Sequence, residues 1–240
     1  MMKIAILSGT SGLVGMQLLH QLMKSAQYDF ILSVGRRKLA LKHNKLIQID
    51  GDLFKLSDWD WEGKVRSESL GGEYHELLDA IKEKKAEIHA YSSLGTTIKV
   101  AGSKEKFYAI DHDLVITFAA WAKKIGAAKF LYVSAMGAEA TSSIFYNKVK
   151  GEIEEDLKAF QFDYLGLFRP SLLLGNRHEF RFGEQVATVF MKPLVWLKIA
   201  KNIRPIYDHQ VAKAMVKTAL SPHSSSVEII LSGQMQDLSK

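Results

Sequence analysis

The 240-residue chain contains no cysteine. That excludes disulfides, thiolate nucleophiles and cysteine-held metals, and it is compatible with a reducing cytoplasm. No apolar run reaches the ~18 residues of a membrane-spanning helix, so no integral membrane segment is expected. The chain passes from Met1 straight into a β-prone run without a small-residue cleavage site, so no secretory leader is expected and the predicted location is cytoplasmic. The eight histidines are scattered, none at the close spacing of a zinc pair, and no metal site is predicted. Internal repeats and low-complexity tracts are missing. The formal charge is +6, yet only Lys82, Lys84 and Lys85 cluster, at a predicted helix end where cations are favoured. No nucleic-acid partner is expected. The basicity instead suits solvation and a phosphorylated small molecule.

What is present starts at the N-terminus. Met2 to Leu7 forms an apolar, β-prone run that ends in Ser8-Gly9-Thr10-Ser11-Gly12-Leu13-Val14-Gly15. Val14, Leu18, Leu19 and Leu22 then repeat at helical spacing. A strand, a glycine-spaced turn and a helix make a cradle for a dinucleotide pyrophosphate. Glycine lets the backbone approach the phosphates, and the helix N-terminus offers free N–H groups. The spacing is G-x-x-G-x-x-G, one residue longer than G-x-G-x-x-G. A second strand over Asp29–Val34 ends at Gly35-Arg36-Arg37-Lys38. An acidic residue about 20 positions past the glycines reads the ribose hydroxyls in NAD-binding folds; here that offset falls on Gly35, followed by two arginines. Their planar forks match a 2′-phosphate, which points to NADP, with NADPH preferred over NADH. A solvated basic turn is the alternative.

Strands alternate with helices thereafter. Further strands are predicted at Lys45–Ile49, Glu87–Tyr91, Lys129–Val133 and Asp163–Phe168, with a helix over Glu73–Lys84. Ser103 is placed to cap a long helix reaching Gly126, with Phe107, Ile110, Leu114, Phe118 and Trp121 on its apolar stripe. Phe54 to Gly72 reads as an irregular insertion. This alternation predicts an α/β doubly wound parallel sheet, whose ligand sits beyond the carboxyl ends of the strands.

After the fifth strand, Ser134 is followed by Tyr146 and Lys150, four residues apart on one helix face. A phenol is a poor acid or base at neutrality, and a neighbouring ammonium lowers its pKa. Tyr146 is thereby a candidate general acid/base for a carbonyl or hydroxyl group, Lys150 its partner and holder of a ribose, and Ser134 the group that orients the substrate oxygen.

Together these features resemble the short-chain dehydrogenase/reductase superfamily. Gly35-Arg36-Arg37-Lys38, Leu94-Gly95-Thr96-Thr97, Val149-Lys150-Gly151-Glu152 and Phe168-Arg169-Pro170 resemble more closely the Tat-interacting oxidoreductase branch of its atypical members and their bacterial relatives. The resemblance implies an NAD(P)-binding Rossmann fold. Besides Gly9 to Gly15, Arg36, Arg37 and Lys150, it implies cofactor contacts from Asp52 (to the adenine amine) and Leu53. Leu94, Gly95 and Thr96 would pass under the adenosine, and Arg169-Pro170 would wall the nicotinamide. The superfamily often has its catalytic serine one position later than Ser134, where this chain has Ala135; Ser142 and Ser143 are alternatives.

One domain is expected over residues 1–240, with about 170–210 contributing a substrate lobe. Arg177 and Arg181 either meet an anionic substrate or pair with Glu179 and Glu184. The stripe over Val189–Ala200 serves core packing, a lid, a dimer face or a membrane-surface helix. The functional expectation is an NADP(H)-dependent oxidoreductase of a small carbonyl or hydroxyl compound, monomeric or homodimeric. The alternative is an NADP(H)-binding regulatory or redox-sensing protein with little or no catalysis.

Overall fold

In the computed structural model, residues 1–68, 73–175 and 201–240 are described. Seven parallel strands form the central sheet. In chain order they are β1 (Met2–Ser8), β2 (Phe30–Gly35), β3 (Leu46–Asp50), β4 (Ala86–Ser92), β5 (Ala127–Val133), β6 (Tyr164–Arg169) and β9 (Val227–Leu231). The spatial order is β3-β2-β1-β4-β5-β6-β9. A two-stranded parallel pair, β7 (Leu173–Leu174) with β8 (Ile206–Tyr207), stands apart from it. The chain builds outward from β1 in one direction, then returns to place β4 on its other side. That reversal opens a crevice at the carboxyl ends of β1 and β4, where open α/β sheets bind ligands.

Alternation along the strands divides the core between the two faces. Ile4 and Ile6 of β1 join Leu32, Val34, Ile88 and Phe130 on one side, while Ala5 and Leu7 join Ile31, Tyr91 and Leu131 on the other. The first face is covered by α6 (Leu114–Lys124) and α7 (Phe145–Ala159), through Phe118, Trp121, Val149 and Ile153. The second is covered by α1 (Leu13–Lys24) and α8 (Asp208–Leu220), which also pack on each other. Each fully buried large aliphatic side chain contributes roughly 1.5–3 kcal/mol through removal from water. Both faces covered is what a parallel sheet requires.

Three expectations need correction. The segment after β3 is not irregular. It forms a 3₁₀ helix (Leu53–Asp58) and α2 (Trp61–Glu68), with Gly71 and Gly72 of the predicted insertion outside the described residues. The Asp52 carboxylate accepts from Phe54 N and that of Asp60 from Gly63 N, and Trp61 packs edge-on against Trp121 at 6.0 Å. Local side-chain caps thus organise a stretch whose composition is polar. Second, Ser103 does cap a helix, accepting from Lys106 N at 3.2 Å. The helix is interrupted, however: α5 (Lys104–Tyr108) passes through a π-helical turn (Ala109–Asp113) into α6. Third, β9 was not anticipated. Of the expected substrate lobe, residues 176–200 lie outside the described residues, and with them Arg177, Arg181 and the apolar stripe. No helix among the described residues is long and apolar enough to cross a membrane.

A polar chain is buried on the α1/α8 face. Tyr28 OH contacts His89 Nδ1 at 2.6 Å and the hydroxyl of Tyr91, and His89 Nε2 lies 2.9 Å from Glu87 Oε1. Burial pushes the His89 imidazole down to about 4 from its ordinary 6.5, outweighing the pull of Glu87. Between those two pH values the unfolded chain binds a proton that the folded chain does not, so stability falls as pH falls from 6.5 towards 4. The loss attributable to this residue is about 3 kcal/mol. Urea unfolding at pH 7.0, 5.5 and 4.5 is expected to show a shallower decline for His89→Gln than for the unmodified protein. Parallel declines would place the effect on other groups.

Candidate functional site

The cradle is built by close backbone contact. Gly9 has φ +86, and a Cβ there would lie 2.6 Å from Ser93 C and 2.7 Å from Leu94 N. A Cβ on Gly15 would lie 2.1 Å from the Gly9 carbonyl oxygen. Glycine is therefore required at both positions for the β1 turn, the start of α1 and the end of β4 to meet. Gly12 N-caps α1, its N–H bonding to Gly9 O at 2.9 Å, with no side-chain cap and no acidic residue in the first turn. The positive end of this helix opens into a cleft of about 580 Å³. Gly9, Thr10, Ser11 and Gly12 form one wall, Gly35, Arg36, Arg37 and Leu53 another, and Ser93 to Thr97 the floor between.

The charges around this cleft are asymmetric. Lys38 is engaged with Glu68 and lies 3.8 Å from Asp50. Arg36 and Arg37 are exposed on the cleft wall, and among the described residues neither forms an ion pair. The Asp52 carboxylate caps Phe54 N at 3.1 Å, and Leu53 and Phe54 beside it line the cleft.

A smaller pocket of about 30 Å³ adjoins the cleft and shares its floor residues Ser93 to Thr96. Leu13, Val14, Ser134, Tyr146 and Lys150 line it, so the structure brings the candidate tyrosine, lysine and serine together. Tyr146 is half-exposed, its ring 5.9 Å from that of Phe107. Lys150 is buried, its Nζ 6.0 Å from the Tyr146 ring centre. It donates to the Tyr132 hydroxyl at 2.9 Å and pairs with Asp111 Oδ1 at 3.0 Å. Burial alone would push the lysine down, but the Asp111 carboxylate and the two tyrosines hold it well above its ordinary value. Burial pushes the Tyr132 hydroxyl up, against the opposing effect of Lys150.

Asp111 and Tyr132 were not among the candidates. Asp111 was detectable: it sits four residues after Phe107 and three before Leu114, an acid placed on an apolar stripe. Tyr132 carried no signal beyond strand alternation.

Ser134 lies in the pocket with its hydroxyl committed elsewhere. Its Oγ donates to Glu154 Oε1, and Glu154, itself buried, accepts from Arg169 through Nε at 3.0 Å and through Nη2. Arg169 is thus held by Glu154, and Pro170 O accepts from Met136 N at 3.0 Å; neither residue lines the two pockets. Ser142 Oγ accepts from Ile144 N at 3.2 Å, and neither Ser142 nor Ser143 lines the Tyr146 pocket.

Among known proteins, the chain is 32% identical over 240 residues to protein FMP52, mitochondrial, of Eremothecium gossypii, covering 98% of this chain and 97% of that protein. It is 34% identical to the FMP52 protein of Meyerozyma guilliermondii, covering 95% and 90%. The HTATIP2 protein of Rattus norvegicus is 29% identical, covering 95% and 86%. No family model matches the chain. Similar solved structures include MoeE5 in complex with UDP-glucuronic acid and NAD, with TM-score 0.62 and 15% identity over 95% of this chain and 76% of that one. Another is the UDP-glucose 4-epimerase of Thermotoga maritima, with TM-score 0.60 and 14% identity over 96% and 77%. The expectation of a cytoplasmic location is overturned, because the FMP52 relatives are named mitochondrial. Absent cysteine excludes disulfides without distinguishing one reducing compartment from another. Sequence similarity along nearly the whole chain and the shared sheet architecture lead to one assignment: the chain belongs to the FMP52 family, and its parallel sheet has the Rossmann-type architecture of these solved structures.

Proposed function

We propose that this protein is an NADP(H)-dependent oxidoreductase acting on a small carbonyl or hydroxyl compound. The observation that carries the reading is the continuity of two pockets through Ser93 to Thr96, one faced by the glycine turn and the exposed Arg36 and Arg37, the other by Tyr146 and Lys150. The cleft's volume is within the ~300–1,000 Å³ of small-molecule sites. Gly9 and Gly15 leave no Cβ in the turn beside it. The donor set, an uncapped helix N-terminus with Arg36 and Arg37, suits a phosphorylated dinucleotide. Bound there, the nicotinamide supplies or accepts a hydride.

The chain's own groups do the rest. Thr10, Ser11 and Gly12 lie where α1 offers its free N–H groups to a pyrophosphate. Arg36 and Arg37 take a 2′-phosphate, and Leu94 and Gly95 form the floor under the adenosine. Lys150, fixed as an ammonium, binds the nicotinamide ribose and presents the positive charge that a phenolate on Tyr146 needs. Tyr146 OH gives a proton to the substrate oxygen in reduction and takes it back in oxidation. Asp52, Arg169 and Pro170 remain nearby candidates for cofactor contact, and Ser134 for orienting the substrate oxygen.

A second reading, an NADP(H)-binding regulatory protein with little catalysis, is favoured by one observation. The Ser134 proton is given to Glu154 and Ala135 has no hydroxyl, so the usual serine donor is weakened. The same experiment separates the two. Tyr146→Phe keeps the ring against Phe107 and is expected to leave NADPH affinity nearly unchanged, while turnover on any carbonyl substrate accepted by the unmodified protein falls ~10²–10⁴-fold. Unchanged turnover would rule out Tyr146 as the acid. Absence of turnover across a carbonyl and alcohol panel, with NADPH bound, would favour the regulatory reading.

The cofactor preference is tested separately. Titration calorimetry is expected to give tighter binding of NADPH than of NADH, and Arg36→Ala with Arg37→Ala to abolish most of the difference, at about tenfold or more per arginine. Equal affinities in the unmodified protein would remove the NADP assignment.

A further inference from the structure

Glu154 is 1% exposed on α7, one helical turn after Lys150, and nothing in the proposed chemistry uses it. Its Oε1 accepts from Arg169 Nε at 3.0 Å and from the Ser134 hydroxyl, and its Oε2 accepts from Arg169 Nη2. A carboxylate gripped by a guanidinium in this way offers only acceptors. The consequence falls on Ser134, which lines the small pocket with Tyr146 and Lys150. A serine hydroxyl has one proton and two lone pairs. Here the proton goes to Glu154, so what remains for the pocket is acceptor capacity. The second serine of that pocket is in the same condition, since Ser93 Oγ donates to Gly9 O at 3.2 Å. Ala135 adds no hydroxyl.

This distribution of protons selects what the pocket can hold. A carbonyl oxygen is also only an acceptor, so it gains nothing from Ser134 and must take its hydrogen bond from Tyr146. Ser134 therefore needs a donor elsewhere on the substrate. The pocket measures about 30 Å³, so substrate atoms that reach Tyr146 also meet Ser134. We infer that the substrate is an α-hydroxy ketone or aldehyde: the hydroxyl beside the reacting carbon donates to Ser134, and Glu154 is the positioning residue that keeps the serine an acceptor. The inference rests on the oxidoreductase reading above and deepens it. In reduction the carbonyl carbon takes the hydride of NADPH, its π pair moves to the oxygen, and that oxygen takes the Tyr146 proton. The products are a vicinal diol and NADP⁺, and solvent returns a proton to Tyr146. The neighbouring hydroxyl keeps its own proton throughout. Ser134 thus sorts substrates without taking part in proton transfer.

The test compares matched substrates with NADPH: butan-2-one against 3-hydroxybutan-2-one, and acetophenone against α-hydroxyacetophenone. Full-length unmodified protein, Ser134→Ala and Glu154→Leu are assayed. The unmodified protein is expected to favour the hydroxy ketone of each pair in kcat/KM by ~10- to 100-fold. A neighbouring oxygen activates the carbonyl equally in all three proteins, so the change in that ratio is the readout. The ratio is also independent of how much enzyme is folded. Ser134→Ala leaves Glu154 with Arg169 and is expected to lower the ratio ~10-fold or more. Glu154→Leu releases the serine proton to the pocket and is expected to lower it too, through a gain on the simple ketone. If Glu154→Leu does not fold, Ser134→Ala decides. A ratio undiminished in Ser134→Ala or in folded Glu154→Leu, or a simple ketone preferred by the unmodified protein, overturns the proposal and leaves the oxidoreductase reading in place. Turnover of neither member of either pair, with NADPH bound, overturns both.

Discussion

Two backbones meeting without side chains between them is the constraint on which the site depends. Gly9, at positive φ, lies against the Ser93-Leu94 peptide, and Gly15 brings the first turn of α1 onto the Gly9 carbonyl. That contact occurs where the chain reverses its direction across the sheet, between β1 and β4. Because the end of β4 is pinned there, the segment after it passes over the Lys150 and Asp111 side chains. Because α1 is pinned there, its uncapped N-terminus looks into the cleft. Side chains of any size at either glycine would separate the two pockets that now share one floor.

Charge is distributed accordingly. At the deep end the positive group is buried, neutralised by an acid and hydrogen-bonded to a tyrosine; at the outer end two arginines stand exposed. Glu154 plays a parallel part on the far side of the pocket, holding both Ser134 and Arg169. The pocket is thus flanked by two buried carboxylates, each binding a cation. Buried acids of this kind are poor sources of stability and good sources of fixed geometry.

Most of the fold was legible because β1, β2 and β5 carry dense apolar runs, β4 alternates Ile88, Ala90 and polar residues, and α1 and α6 carry helical stripes. Periodicity needs such regularity. It failed where structure is made by caps and isolated aromatic contacts. Trp59 and Trp61 in a polar stretch looked like an insertion, although Asp52 and Asp60 start helices there. It failed again at β9, where Val227–Leu231 interrupts its apolar run with Glu228, whose carboxylate accepts from Tyr164 OH at 2.8 Å. For the site, the glycine turn, both arginines and the Tyr146–Lys150 pair were readable from spacing. An acid on an apolar stripe marks Asp111, but its pairing with Lys150, and that of Tyr132, is not readable, since these residues are distant in sequence and meet only through packing. Spacing could place Ser134 after β5 but not its bond to Glu154, twenty residues on.

The π-helical turn carries one more residue than an α-helix of the same height would need. An added residue rotates everything beyond it by about 100° relative to what precedes it. The two parts of this helix therefore have separate phases. Before the turn, the buried Phe107 meets Phe145 and Tyr146; after it, Phe118 meets Phe130 and Trp121 meets Trp61, in the same core cluster. Asp111 sits in the seam between these phases, so it can leave the apolar stripe without either half losing its packing. The extra residue consequently lets both halves pack into one core while the turn between them presents Asp111 to the pocket.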